Sequence, residues 1–100
     1  MSESLIVGID MAKKSFTAAY RIGKAGSDLG DFANEPTGYD ALHRQVSQVC
    51  EEQGMTQIHL ILEATGGYEA ALLAYAYGQG WAISMPNPMR VRRWAEGVNY

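Results

Sequence analysis

One hundred residues, 47% of them hydrophobic and 19% charged, with a formal charge of -3, describe one globular domain with a single modest core. They exclude a disordered chain and a polycationic nucleic-acid binder. One cysteine, Cys50, rules out an internal disulfide and fits a reducing compartment. No apolar run approaches the ~20 residues of a membrane span, and Met1-Ser2-Glu3-Ser4 lacks the basic start of a signal peptide. A soluble cytoplasmic protein is the expectation.

The β-branched, apolar run Leu5-Ile6-Val7-Gly8-Ile9 predicts a first strand ending at Asp10. Met11 to Ser15 reads as a polar turn carrying Lys13 and Lys14. Phe16 to Ile22 is a second strand with Phe16, Ala18 and Tyr20 on one face, and Gly23-Lys24-Ala25-Gly26 marks a hairpin. Asp28 to Asn34 completes an antiparallel meander. The period then becomes helical. Thr37 is placed as N-cap with Asp40 in the capping-box position, Tyr39, Leu42, Val46, Val49 and Cys50 form one stripe, and Gly54 stops the helix. Gln57 to Glu63 is the fourth strand. Thr65-Gly66-Gly67 opens a second helix, striped by Tyr68, Leu72, Tyr75 and Ala76 and closed at Gly80. Trp81 to Met85 is the fifth strand, and Asn87-Pro88 starts a third helix.

The order βββαβαβα predicts an α/β fold, a mixed five-stranded sheet flanked by helices, with the fourth and fifth strands parallel. In the last helix Val91, Trp94, Ala95 and Val98 keep one apolar stripe in phase up to Tyr100, without a basic last turn. The reading is one domain over residues 1–100, ending inside that helix and belonging to a longer protein.

Asp10 and Glu63 both end an apolar strand. A carboxylate there is costly without a cationic partner, and two brought together by one sheet repel until a metal ion sits between them. Mg²⁺-dependent phosphodiester chemistry follows from such a pair. The plainer reading of Asp10 is a turn-forming aspartate, and of Glu63 a neighbour of the capping Thr65. Lys13 either neutralises the carboxylates and holds a phosphate or is a solvated turn lysine. Thr65-Gly66-Gly67 offers backbone N–H groups for a phosphate or for simple capping. Arg90, Arg92 and Arg93 flank the inward stripe of Val91 and Trp94, reaching either a nucleic-acid backbone or only water. His59 lies too far from Glu63 for shared ligation, His43 sits on the polar side of its helix, and Cys50 is a core residue. Tyr75, Tyr77, Trp81 and Trp94 could stack bases but fall at packing positions.

Gly8-Ile9-Asp10-Met11-Ala12-Lys13, Glu63-Ala64-Thr65-Gly66-Gly67-Tyr68, and Asn87-Pro88 before the Arg-rich helix resemble the amino-terminal domain of Insertion-Sequence-110 family transposases. Asn34 and Gly38 fit the same pattern. The resemblance covers nearly the whole chain. It implies a RuvC-like, RNase H-like domain with four acidic residues in the order Asp, Glu, Asp, Asp, and a Mg²⁺ site (Mn²⁺ as substitute) without an organic cofactor. Asp10 and Glu63 match the first two acidic positions, as catalytic metal ligands. It also implies DNA and a bridge-type guide RNA as partners, and a homo-oligomer joined through such domains. The last two acidic residues and the downstream domain with a nucleophilic serine fall outside this chain, which alone should be inactive. Two rival readings stand. A sugar-kinase or actin-like ATPase fragment would begin similarly but continue with a Gly- and Ser/Thr-rich phosphate loop, where this chain has Met11-Ala12-Lys13-Lys14. A non-catalytic interaction module would use the sheet as scaffold only.

Overall fold

The computed structural model describes residues 4–86. Three strands come first: β1 (Ser4–Met11), β2 (Ser15–Ile22) and β3 (Ala25–Ala33). They are followed by α1 (Pro36–Gln53), β4 (Gln57–Leu62), α2 (Ala70–Gly78) and β5 (Ala82–Ser84). The sheet order is β3-β2-β1-β4-β5. β1 pairs antiparallel with β2, and β2 with β3, whereas β1–β4 and β4–β5 are parallel. The mixed five-stranded α/β architecture expected from the element order is therefore present. The expected third helix, with Arg90, Arg92 and Arg93, falls outside the described residues.

Alternation along the strands sorts side chains by face. Leu5, Val7, Ile9 and Met11 of β1 join Phe16, Ala18, Leu60 and Leu62 in one core. Leu42 and Val46 of α1 and Leu72 and Ala76 of α2 complete it. Both helices cover the same face, and Tyr39 of α1 meets Tyr75 of α2 with ring centroids 5.7 Å apart. Among the described residues the helices cover one face of the sheet, and the other, carrying Gly8, Asp10 and Thr17, is exposed.

Local chemistry explains the boundaries. Ile22 pairs with Ala25 across Gly23 and Lys24, and Gly23 takes a φ of 59° that the tight hairpin requires. A bulge at Leu29 shifts the β2–β3 register between Ala18 and Ala19. Helix α1 starts one residue before the expected cap. Pro36 occupies its first turn, preorganised in φ, and Glu35 is the N-cap without a side-chain cap bond. Thr37 is inside the helix and donates to Glu35 Oε2 at 3.4 Å. Gly54 closes the helix in the left-handed region at φ 71°. At the other end Gly38 packs directly on the Ala33 backbone, leaving no room for a side chain.

Candidate functional site

The parallel register sets Gly8 opposite Ile61 and Ile9 opposite Leu62. One further step brings Asp10 beside Glu63, the residue that follows β4. Ile9 and Leu62 point into the core, so Asp10 and Glu63 share the opposite face, and both are exposed. Both line a single open groove whose floor includes Gly8 and Ile61 and whose rim includes Pro86. Neighbouring strands lie about 4.8 Å apart, which is within the reach of two carboxylates sharing one cation.

On its other side Asp10 pairs with Thr17, and Thr17 Oγ1 donates to Asp31 Oδ1 at 2.8 Å. Glu63, Asp10, Thr17 and Asp31 thus form a polar row across four strands. Thr17 and Asp31 were not anticipated from sequence. The signal was present, because Thr17 falls between the inward Phe16 and Ala18, but only the register places it next to Asp10. Asp31 lies two strands from Asp10, and among the described residues no three His, Cys, Asp or Glu side chains come together as a metal cluster. The donor set is two hard carboxylates. That fits Mg²⁺, which is often held by one or two carboxylates plus waters and substrate phosphates.

Two loops frame the pair. After Asp10 the chain turns tightly, Ala12 N–H donating to Ser15 C=O at 2.8 Å, and Lys13 is exposed on this turn. After Glu63 a loop leads to α2, which begins at Ala70, five residues later than expected. The reason is Glu69. Its buried carboxylate accepts the Thr65 N–H at 3.0 Å, the Thr65 hydroxyl, and the Gly67 N–H at 3.4 Å. Two of the N–H groups expected to be free for a phosphate, those of Thr65 and Gly67, are therefore bonded internally. The Thr65 hydroxyl, the largest cause, then Glu69's own backbone N–H and those of Thr65 and Gly67 hold the Glu69 carboxyl down at about 2.

Asn34, the residue that follows β3, links both loops. Its Nδ2 lies 3.3 Å from Ala12 O, 3.2 Å from Lys13 O and 3.0 Å from Tyr68 O. Its Oδ1 accepts from the Tyr39 hydroxyl. Burial, and secondarily the Glu35 charge, push the Tyr39 phenol up, so it stays a proton donor.

Comparison with known proteins bears on what this geometry serves. The model of the Insertion-Sequence-110 DEDD family, described as "Transposase", matches residues 7–99. The chain belongs to this transposase family. It is also 27% identical over 92 residues to a pilin gene-inverting protein of Moraxella lacunata, across 92% of this chain and 28% of that protein. The same figures hold for the pilin gene-inverting protein of Moraxella bovis. The chain thus spans under a third of the length of these relatives. Membership carries the RNase H-like reading of the sheet, and the glycine-free turn Ala12 to Lys14 has nothing of a kinase phosphate loop.

Both histidines of this transposase-family domain have structural partners. His59 is on the open face, with Nε2 2.7 Å from Ser84 Oγ. His43 is not on an exposed polar side: its Nδ1 lies 3.0 Å from Tyr75 Oη and its ring packs edge-on against Trp81. Tyr75 also donates to Asp40 Oδ1 at 3.0 Å. Cys50 is buried, whereas Tyr77 is 81% exposed. No helix among the described residues is long and apolar enough to cross a membrane.

Proposed function

We propose that this domain supplies half of the acidic metal site of a DNA transposase or recombinase, with Asp10 and Glu63 as Mg²⁺ ligands. One observation carries the reading: two carboxylates from chain segments 53 residues apart share one face at neighbouring parallel strand ends and line one groove. A bound divalent cation would supply Lewis-acid stabilisation of the charge that develops on phosphodiester oxygens. Asp10 and Glu63 orient that cation, and their mutual repulsion makes the site selective for a dication over an empty state. Lys13, exposed on the turn after Asp10, adds a cation for the approaching phosphate backbone. Arg90, Arg92 and Arg93 would extend that contact. Thr65 joins the nucleic-acid surface through its loop, with its hydroxyl proton committed to Glu69.

The printed names of the relatives concern inversion of pilin genes, a rearrangement of DNA, which supports DNA as substrate. A bridge-type guide RNA, homo-oligomerisation through these domains, cytoplasmic localisation and a downstream serine nucleophile belong to the same reading, through the family. The test uses the intact protein on a supercoiled substrate with scoring of recombinant junctions. Asp10→Asn and Glu63→Gln should each lower recombination at least about 100-fold while DNA binding persists. Wild-type recombination by either folded variant would refute the metal assignment.

A further inference from the structure

Beyond Ile9 and Leu62 no ladder hydrogen bond sets the distance between β1 and β4. Asp10 and Glu63 sit just past that point. Without a cation their charges push them apart, so something else must hold the two strand ends together. Asn34 is the one side chain among the described residues whose hydrogen bonds reach both following segments, Ala12 and Lys13 on one side and Tyr68 on the other.

We propose that Asn34 is a positioning residue that sets the Asp10–Glu63 separation by clamping the turn after Asp10 to the loop after Glu63. The inference rests on the metal-site reading above. An amide suits the task because it is neutral and carries donors and an acceptor on opposite sides. Three carbonyl oxygens surround Nδ2, so the reverse orientation would set oxygen against oxygen, and the Tyr39 hydroxyl holds the correct one. The Asn34 backbone is anchored as well, its N–H donating to Lys14 C=O at 2.9 Å. On the far side Glu69 gathers Thr65 and Gly67, so the grip on Tyr68 is passed along a stiff loop to Glu63. The peptide plane of Tyr68 is thereby fixed relative to that of Ala12, two residues from Asp10.

Asn34→Asp keeps the shape but turns an acceptor toward three carbonyls, opening the clamp. The experiment uses the metal-free intact protein without DNA and follows free Mn²⁺ by electron paramagnetic resonance. Thermal melting and amide hydrogen exchange are recorded alongside. Asn34→Asp should weaken Mn²⁺ binding about 10-fold or more, and speed exchange at Lys13–Lys14 and Gly66–Tyr68 together while β1 and β4 interior amides keep their protection. A merely structural asparagine would lower the melting temperature and leave the Mn²⁺ affinity of the folded protein unchanged. Tyr39→Phe, which removes only the proton donated to Oδ1, should give a smaller weakening of the same kind and serves if Asn34→Asp does not fold. Normal Mn²⁺ affinity in the folded variants, with Asp10→Asn weakened, overturns the clamp and leaves the metal site standing. Normal affinity in Asp10→Asn overturns both.

Discussion

The approach of α1 to the end of β3 makes Gly38→Ala a demanding substitution. A Cβ on Gly38 would overlap the Ala33 carbonyl oxygen and lie 2.7 Å from its carbon and 2.8 Å from its nitrogen. Neither side yields easily. Ala33 is paired with Ser15, and the Gly38 N–H is bonded to Glu35 C=O at 2.9 Å. Overpacking of this kind costs about 3 kcal/mol, offset by roughly 1 kcal/mol because alanine is the better helix former. The net loss of about 2 kcal/mol corresponds to a urea midpoint lower by about 1 M at a slope of roughly 2 kcal/mol per M, or a melting temperature lower by about 8–16 °C. Urea titrations followed by circular dichroism and tryptophan fluorescence measure it. Gly78→Ala is the matched comparison, since its Cβ meets nothing within 4 Å at the end of α2. It should be neutral or gain up to about 1 kcal/mol. Equal midpoints for the two variants would refute the close packing of α1 on β3, and with it the support beneath Asn34.

Protonation of Glu69 should loosen the loop after Glu63. Because its folded pKa is depressed from 4.5 to about 2, the stabilisation is complete above the ordinary carboxylate range and is lost as pH falls through about 2. The amide shifts of Thr65 and Gly67 should titrate near that lower value and become flat in Glu69→Gln; a midpoint near 4.5 would contradict the hydrogen-bonded carboxylate. On the open face, a Cβ at Gly8 meets nothing within 4 Å, so Gly8→Ala should raise stability by up to about 1 kcal/mol. A lower melting temperature would refute the open space above Gly8.

Much of the fold was legible locally. Alternation identified the strands, the stripe through Tyr39, Leu42, Val46 and Cys50 identified α1, and Gly54 stopped it because a left-handed turn favours glycine. The acidic pair was legible as chemistry, since a carboxylate after an apolar strand is unusual wherever it lies. Errors arose where two local signals competed. Thr37 and Pro36 both mark a helix start, and the proline, with φ already set, prevailed. Thr65 looked like a cap until Glu69 drew its N–H and hydroxyl into a loop of its own. His43 looked solvent-facing, yet α2 and Trp81 cover its ring.

Asn34 left no local trace of its role, because the groups it joins lie 21, 22 and 34 residues away. Sequence alone determined the elements, their order and which residues carry charge, since backbone preference and side-chain period depend on near neighbours in the chain. Tertiary structure alone decided that β1 lies beside β4, that Asp10 and Glu63 fall on one face, and that one amide spans both loops. Those are outcomes of parallel pairing and register between distant segments, which shared burial of Val7, Ile9, Leu60 and Leu62 selects and no short window of sequence contains.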